Sequence, residues 1–216
     1  MNIDVVYILI VIVVILISMT LHEAMHAFTS YWLGDDTAKA QGRLTLNPIK
    51  HIDPFLTIIL PIGLALVGAP IFGGAKPVPF NPQNVRFGEW GAALVAVAGP
   101  LTNLFLAFII FGISVIIGMP AVTSASVGTV GQILTTGVLV NLGFFIFNII
   151  PIPPLDGSRV LYALAPEFVR RGMEAMERFG IVFIFLIILV AGSSLSLFMI
   201  GAMTFFLDVF SHLFNV

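Results

Sequence analysis

The sequence predicts an all-α membrane protein, a multi-pass helical bundle with a small membrane-associated β-sheet and a re-entrant segment near the cytoplasmic face. Three observations lead there. Of the 216 residues, 59% are hydrophobic and only 9% charged, and mean hydropathy is +1.11, outside the range of soluble globular domains. Apolar stretches of membrane-spanning length recur along the chain. Between the first two of them, polar and apolar residues alternate with period two, which is strand patterning.

At about 20 apolar residues per span, the chain has room for about five spans and short connections. The formal net charge of −2 offers no basic surface for nucleic acid. The chain contains no cysteine, so a metal ion would have to be held by nitrogen and oxygen donors.

Residues 3–32, 90–119 and 128–150 are each long enough to cross, and the apolar run 179–216 is expected to fold as a hairpin turning at Gly192-Ser193-Ser194. The first stretch lacks the basic flank and small-residue cleavage site of a secretory signal and is read as a retained span. Segment 55–69 is shorter and is bracketed and interrupted by Pro54, Pro61 and Pro70. If it turns back without crossing, all nine basic residues fall on one side of the bilayer: Lys39, Arg43, Lys50, Lys76 and Arg86, then Arg159, Arg170, Arg171 and Arg178. Basic residues collect on the cytoplasmic side, so the segment is read as re-entrant and the large loops as cytoplasmic. The two strand candidates are 38–47 and 74–80. In the second, Pro77 and Pro79 remove donors from one edge and leave the other free to pair.

The chemistry centres on His22-Glu23-Ala24-Met25-His26. On a helix, His22 and His26 project from one face a turn apart, so both imidazoles can reach one zinc ion. Glu23, beside that face, can take a proton from water that the metal activates. The bland reading, two structural histidines, conflicts with the cost of ionisable groups inside a span, roughly 2.5–3.5 kcal/mol or more each.

A catalytic zinc usually takes a third protein ligand. Asp4, Asp35, Asp36, Asp53 and Asp208 lie at span ends or in loops at the wrong depth or side. Asp156, after span 128–150 in a proline-rich stretch closed by Gly157, approaches from the same side as His26. Its alternative is a helix N-cap or turn aspartate. Asn148 can donate to a developing oxyanion or hold a substrate backbone; Asn103 can tie the second span to a loop near the site. For both, the alternative is interhelical hydrogen bonding, the role expected of Asn141. His51 and His212 are read as bystanders.

With Gly99-Pro100-Leu101-Thr102-Asn103, Asn148 and Leu155-Asp156-Gly157, the His22–His26 motif resembles the site-2 protease family of intramembrane zinc metalloproteases, in its compact prokaryotic branch. The similarity covers about 21–162 and includes 46–54 and 75–79. It implies that His22, His26 and Asp156 bind one zinc ion (Zn2+), that Glu23 activates water, and that Asn148 positions or polarises the scissile peptide. Length and composition give a single domain over 1–216, with a catalytic core at about 3–162 and a helical hairpin at about 179–214. The expected activity is hydrolysis of peptide bonds in or near transmembrane segments of membrane-protein substrates. The setting would be the lipid bilayer of the cell membrane, with the active site toward the cytoplasm. A locally unwound substrate could add as a strand to the edge of 38–47 or 74–80. The competing reading is a non-proteolytic zinc-binding membrane protein, a transporter or scaffold. Against it, transporters commonly pair broken helices in duplicated halves, and one interrupted segment has no evident counterpart here.

Overall fold

The computed structural model describes residues 5–59, 62–63, 74–119 and 128–216. Its helices are α1 (Val5–Trp32), α2 (Thr37–Ala40), α3 (Glu89–Ile116), α4 (Thr129–Asn148), α5 (Gly157–Leu164), α6 (Glu167–Glu177) and α7 (Ile181–Phe214). Four of these are long and apolar enough to cross a membrane: α1, α3, α4 and the 188–214 part of α7. The 28 residues of α1 extend about 42 Å, more than the ~30 Å of a hydrocarbon core.

Between apolar helices in lipid, close packing replaces hydrophobic transfer as the main attraction, and small residues permit close approach. Here α3 lies between α1 and α4, with α7 outside against α4 and α3. A Cβ on Gly137 would come within 3.1 Å of Ile110, and one on Gly143 within 3.2 Å of Met203. Ala107, Phe111, Val138, Leu142, Phe145, Ile146 and Phe210 form the main apolar core. On its outer face α7 exposes Leu189, Val190 and Leu197.

Beyond Trp32 the chain turns through Gly34, whose φ of +105° favours glycine. Asp35 staples this corner to the 81–84 loop. Its carboxylate accepts from the Thr37 amide and hydroxyl, the Asn81 amide and the Asn84 side chain. Burial pushes this carboxyl up, but those donors outweigh burial and hold it below the usual carboxylate range.

Two expectations are corrected. No strand forms among the described residues, so the predicted β-sheet is absent. Residues 37–40 are helical, and Gly42, at φ +65°, turns the chain after them. Residues 74–80 form no regular element, and their backbone groups are already used by other partners. The amides of Gly74, Lys76 and Val78 donate to the Leu56 carbonyl, the His51 carbonyl and the Glu23 carboxylate, respectively. The Gly74 carbonyl accepts from the Thr57 hydroxyl, and the Lys76 carbonyl from Arg43. A ladder would need those same groups.

The second correction is the C-terminal hairpin. Helix α7 runs through Gly192-Ser193-Ser194 and departs from helical geometry only at Ala191 (φ −118°, ψ 16°). The break is a kink where a turn was predicted. Glycine and serine are punctuation in water, but a helix in lipid satisfies its own backbone and tolerates them.

The expected re-entrant segment falls largely on residues 60–61 and 64–70, outside the described residues. Its two flanks are described, and they meet. The Gly74 amide donates to the Leu56 carbonyl at 3.0 Å, and the Thr57 hydroxyl to the Gly74 carbonyl at 2.6 Å.

Candidate metal centre

His22 and His26, one turn apart on α1, are both buried, and their Nε2 atoms lie 3.0 Å apart. Asp156 Oδ2 is 3.1 Å from the first and 3.4 Å from the second. These three residues form a metal-capable His/Asp/Glu cluster among the described residues.

Backbone close approach brings them together. The α4 helix ends at Asn148, and the chain doubles back through Pro151, Pro153 and Pro154, which cannot continue it. Gly157 completes the return by leaving space: a Cβ there would sit 2.1 Å from the Ile149 carbonyl oxygen. Asp156 precedes α5 without making a side-chain cap bond, so its carboxylate is left for the histidines. On the other side, Gly99 of α3 lies directly under both rings. A Cβ there would be 2.5 Å from His26 Nε2 and 2.7 Å from His22 Cε1.

Hydrogen bonds fix which ring nitrogen is bare. His26 Nδ1 is 2.7 Å from the Val95 carbonyl, which can only accept, so Nδ1 carries the proton. For His22 the same result comes through two amides. The Gly137 carbonyl takes a hydrogen from Asn141 Nδ2 (2.8 Å), which also donates to Ser18 Oγ (2.9 Å). Asn141 Oδ1 therefore faces Asn103 Nδ2 (2.9 Å), and Asn103 Oδ1 is left to accept from His22 Nδ1 (2.6 Å). With both Nδ1 atoms protonated, both Nε2 atoms of the neutral rings are lone pairs.

Two lone pairs and a carboxylate oxygen thus converge, and Asp156 Oδ2 is buried with no hydrogen-bond partner. Such a cluster repels itself unless a cation lies at its centre. Bond lengths of 2.0–2.2 Å about tetrahedral zinc imply ligand separations of roughly 3.3–3.5 Å, close to those found, so the donor set fits zinc.

Glu23 is buried next to this cluster. Its Oε2 accepts from the Val78 amide at 2.7 Å, and Oε1 makes no hydrogen bond among the described residues. Asn148, partly buried, donates one amide hydrogen to the Phe144 carbonyl of its own helix (3.0 Å) and makes no hydrogen bond to the three donor residues. His51 is buried in a loop with Nε2 on the Thr45 carbonyl.

Four residues take parts at the site that the sequence did not assign to them: Gly99, Val95, Ser18 and Asn141. Asn141 bonds across helices as expected, and through Asn103 that contact reaches His22. Lone amides in apolar spans signal an interior position, but only the fold supplies their partners.

The peptidase family M50 model matches residues 113–192, the part holding Asn148 and Asp156. YwhC of Bacillus subtilis, named as a candidate zinc metalloprotease, is 43% identical over 186 residues, covering 84% of this chain and 81% of its own. Rip2 of Mycolicibacterium smegmatis, named likewise, is 34% identical over 179 residues, 81% of this chain and 63% of its own. The Mycobacterium tuberculosis Rip2 (strain H37Rv) is 32% identical over 182 residues, and the chain spans just under two thirds of these mycobacterial relatives. No solved structure matches. The identity with YwhC runs along most of both proteins, and the donor set is one that zinc fits; the chain belongs to the metalloproteases of peptidase family M50.

Proposed function

We propose that this membrane metalloprotease hydrolyses peptide bonds in or near transmembrane segments of other membrane proteins, with one zinc held by His22, His26 and Asp156. The observation that carries this reading is depth. His22 lies 17 residues after Val5 in a 28-residue apolar helix, about 25 Å from one end and 15 Å from the other, and it is buried.

Zinc, when bound, acts as a Lewis acid on water and carbonyl groups. Glu23, with Oε2 held and Oε1 free, takes the proton from the attacking water and returns it to the leaving amine. Asn148 has a second amide hydrogen, which donates to the carbonyl oxygen as charge develops there or holds the neighbouring substrate backbone. Because a peptide bond inside a helix is shielded by its own turn, the substrate unwinds locally at the site. A small apolar groove adjoins it, lined by Phe147, Ile150, Ile152, Pro153, Leu155, Ile184, Ile188 and Leu195. Phe147 and Leu155 immediately precede Asn148 and Asp156, so apolar side chains seated there would bring their backbone to the donor groups.

The active site opens toward the cytoplasm in this reading. Both flanks of 60–73 meet at Gly74, which supports a segment that returns to the side it left and keeps the nine basic residues together.

The test uses purified protein in lipid vesicles with a single-span substrate and maps the new termini by mass spectrometry. Cleavage within or beside the span is expected. In the same assay Asn148→Ala is expected to keep zinc and lose turnover about 10²–10³-fold. Zinc flux across the vesicle membrane with no cleavage would establish the transporter alternative instead.

A further inference from the structure

Arg43 is 6% exposed, and its guanidinium, always charged and carrying only donors, is costly to bury without an acid. No carboxylate pairs with it among the described residues. Its Nη2 donates to the Lys76 carbonyl at 2.6 Å and reaches the Pro77 carbonyl at 3.5 Å, while Nε has no partner. A buried cation spent on two carbonyls is a poor stabiliser by itself, so the identity of those carbonyls matters.

The Pro77 carbonyl and the Val78 amide belong to one planar trans peptide unit, with the oxygen and the hydrogen on opposite sides. Arg43 approaches the oxygen, and Glu23 Oε2 accepts from the amide at 2.7 Å. Residue 76 is clamped at both ends, its amide on the His51 carbonyl and its carbonyl on Arg43. Pro77 and Pro79 have no N–H, so Val78 is the one donor of the 77–79 stretch. We infer that Arg43 is a positioning residue for Glu23, acting through the Pro77–Val78 peptide to hold one carboxylate oxygen and leave the other for water. This rests on the reading of Glu23 as general base.

The test compares Arg43→Ala, Arg43→Lys and Glu23→Gln in purified, zinc-loaded full-length protein with a fluorogenic single-span peptide in micelles. In Arg43→Ala, zinc content and KM should match wild type while kcat falls about 10²-fold, the scale of an ångström-level misplacement. Added methylguanidinium should restore part of that loss. Hydrogen exchange supplies a readout independent of turnover: the Val78 amide should exchange faster in Arg43→Ala than in wild type.

Wild-type kcat, or unchanged exchange at Val78, in folded Arg43→Ala overturns the inference. If Arg43→Ala does not fold, Arg43→Lys decides. It keeps the buried charge but has a shorter reach, so kcat should fall at constant zinc and KM, and wild-type kcat there would reduce Arg43 to a folding role. Glu23→Gln separates the two levels. Wild-type turnover in Glu23→Gln removes the general base itself, whereas an inactive Glu23→Gln beside fully active Arg43 variants removes only the positioning role.

Discussion

Glu23→Gln is expected to bind zinc as wild type does and to cleave about 10²–10⁴-fold more slowly, the usual contribution of a general base. In the proposed reading the two functions are separate. Glu23 lies outside the donor triangle of His22, His26 and Asp156, and its anchoring contact is to the Val78 amide. Glutamine preserves size and the oxygen that accepts from that amide, but it cannot take a proton near neutral pH. Zinc content and single-turnover cleavage, measured on the same preparation, check this. Loss of zinc in Glu23→Gln would mean that the carboxylate holds the metal, and the general-base role would fall.

Gly99→Ala should be nearly as damaging, although it removes nothing. The added methyl would lie 2.5 Å from His26 Nε2 and 2.6 Å from its Cε1, inside van der Waals contact with the nitrogen proposed to bind zinc. Either the rings rotate away or α3 shifts outward, and both break the convergence with Asp156. Zinc affinity is expected to fall by more than the 10–100-fold typical of losing an outer partner of a ligand, with helix content retained. Gly172→Ala in α6 is the control, since nothing lies within 4 Å of its added carbon; it should be neutral or slightly stabilising. Normal zinc in Gly99→Ala would show that the helices relax at little cost.

The contrast between Gly99 and His22 shows how much was legible in the sequence. Two histidines four apart in an apolar run can be read directly because helical periodicity puts them on one face. Asp156 could be read because so few carboxylates lie on the right side. Gly99 could not: its space matters only once α3 crosses α1 at that level, and its backbone carries no unusual φ to mark it. The spans were legible from length and apolarity, and α1, α3 and α4 form within a few residues of the predicted bounds. The sheet failed for a different reason. Alternation over 38–47 and prolines two apart at 77 and 79 report which side chains and donors face each way, but not who claims the remaining edge. Here a glutamate from α1 and an arginine from the loop claim it.

The same limit applies to the amides. Asn103 and Asn141 were visible as polar groups in apolar spans, and interhelical bonding was the expectation. Their order, from Gly137 through Asn141 and Asn103 to His22, exists only in three dimensions. That order leaves the His22 Nε2 lone pair facing Asp156.

Zinc per chain, measured on purified wild type and on Asp156→Ala, tests the metal centre most directly. About one zinc per chain is expected in wild type. Asp156→Ala should lose it, because His22 and His26 alone leave the site one protein ligand short. His22→Ala and His26→Ala should do the same. Stoichiometric zinc in folded Asp156→Ala would contradict the assignment and place the third ligand elsewhere in the chain.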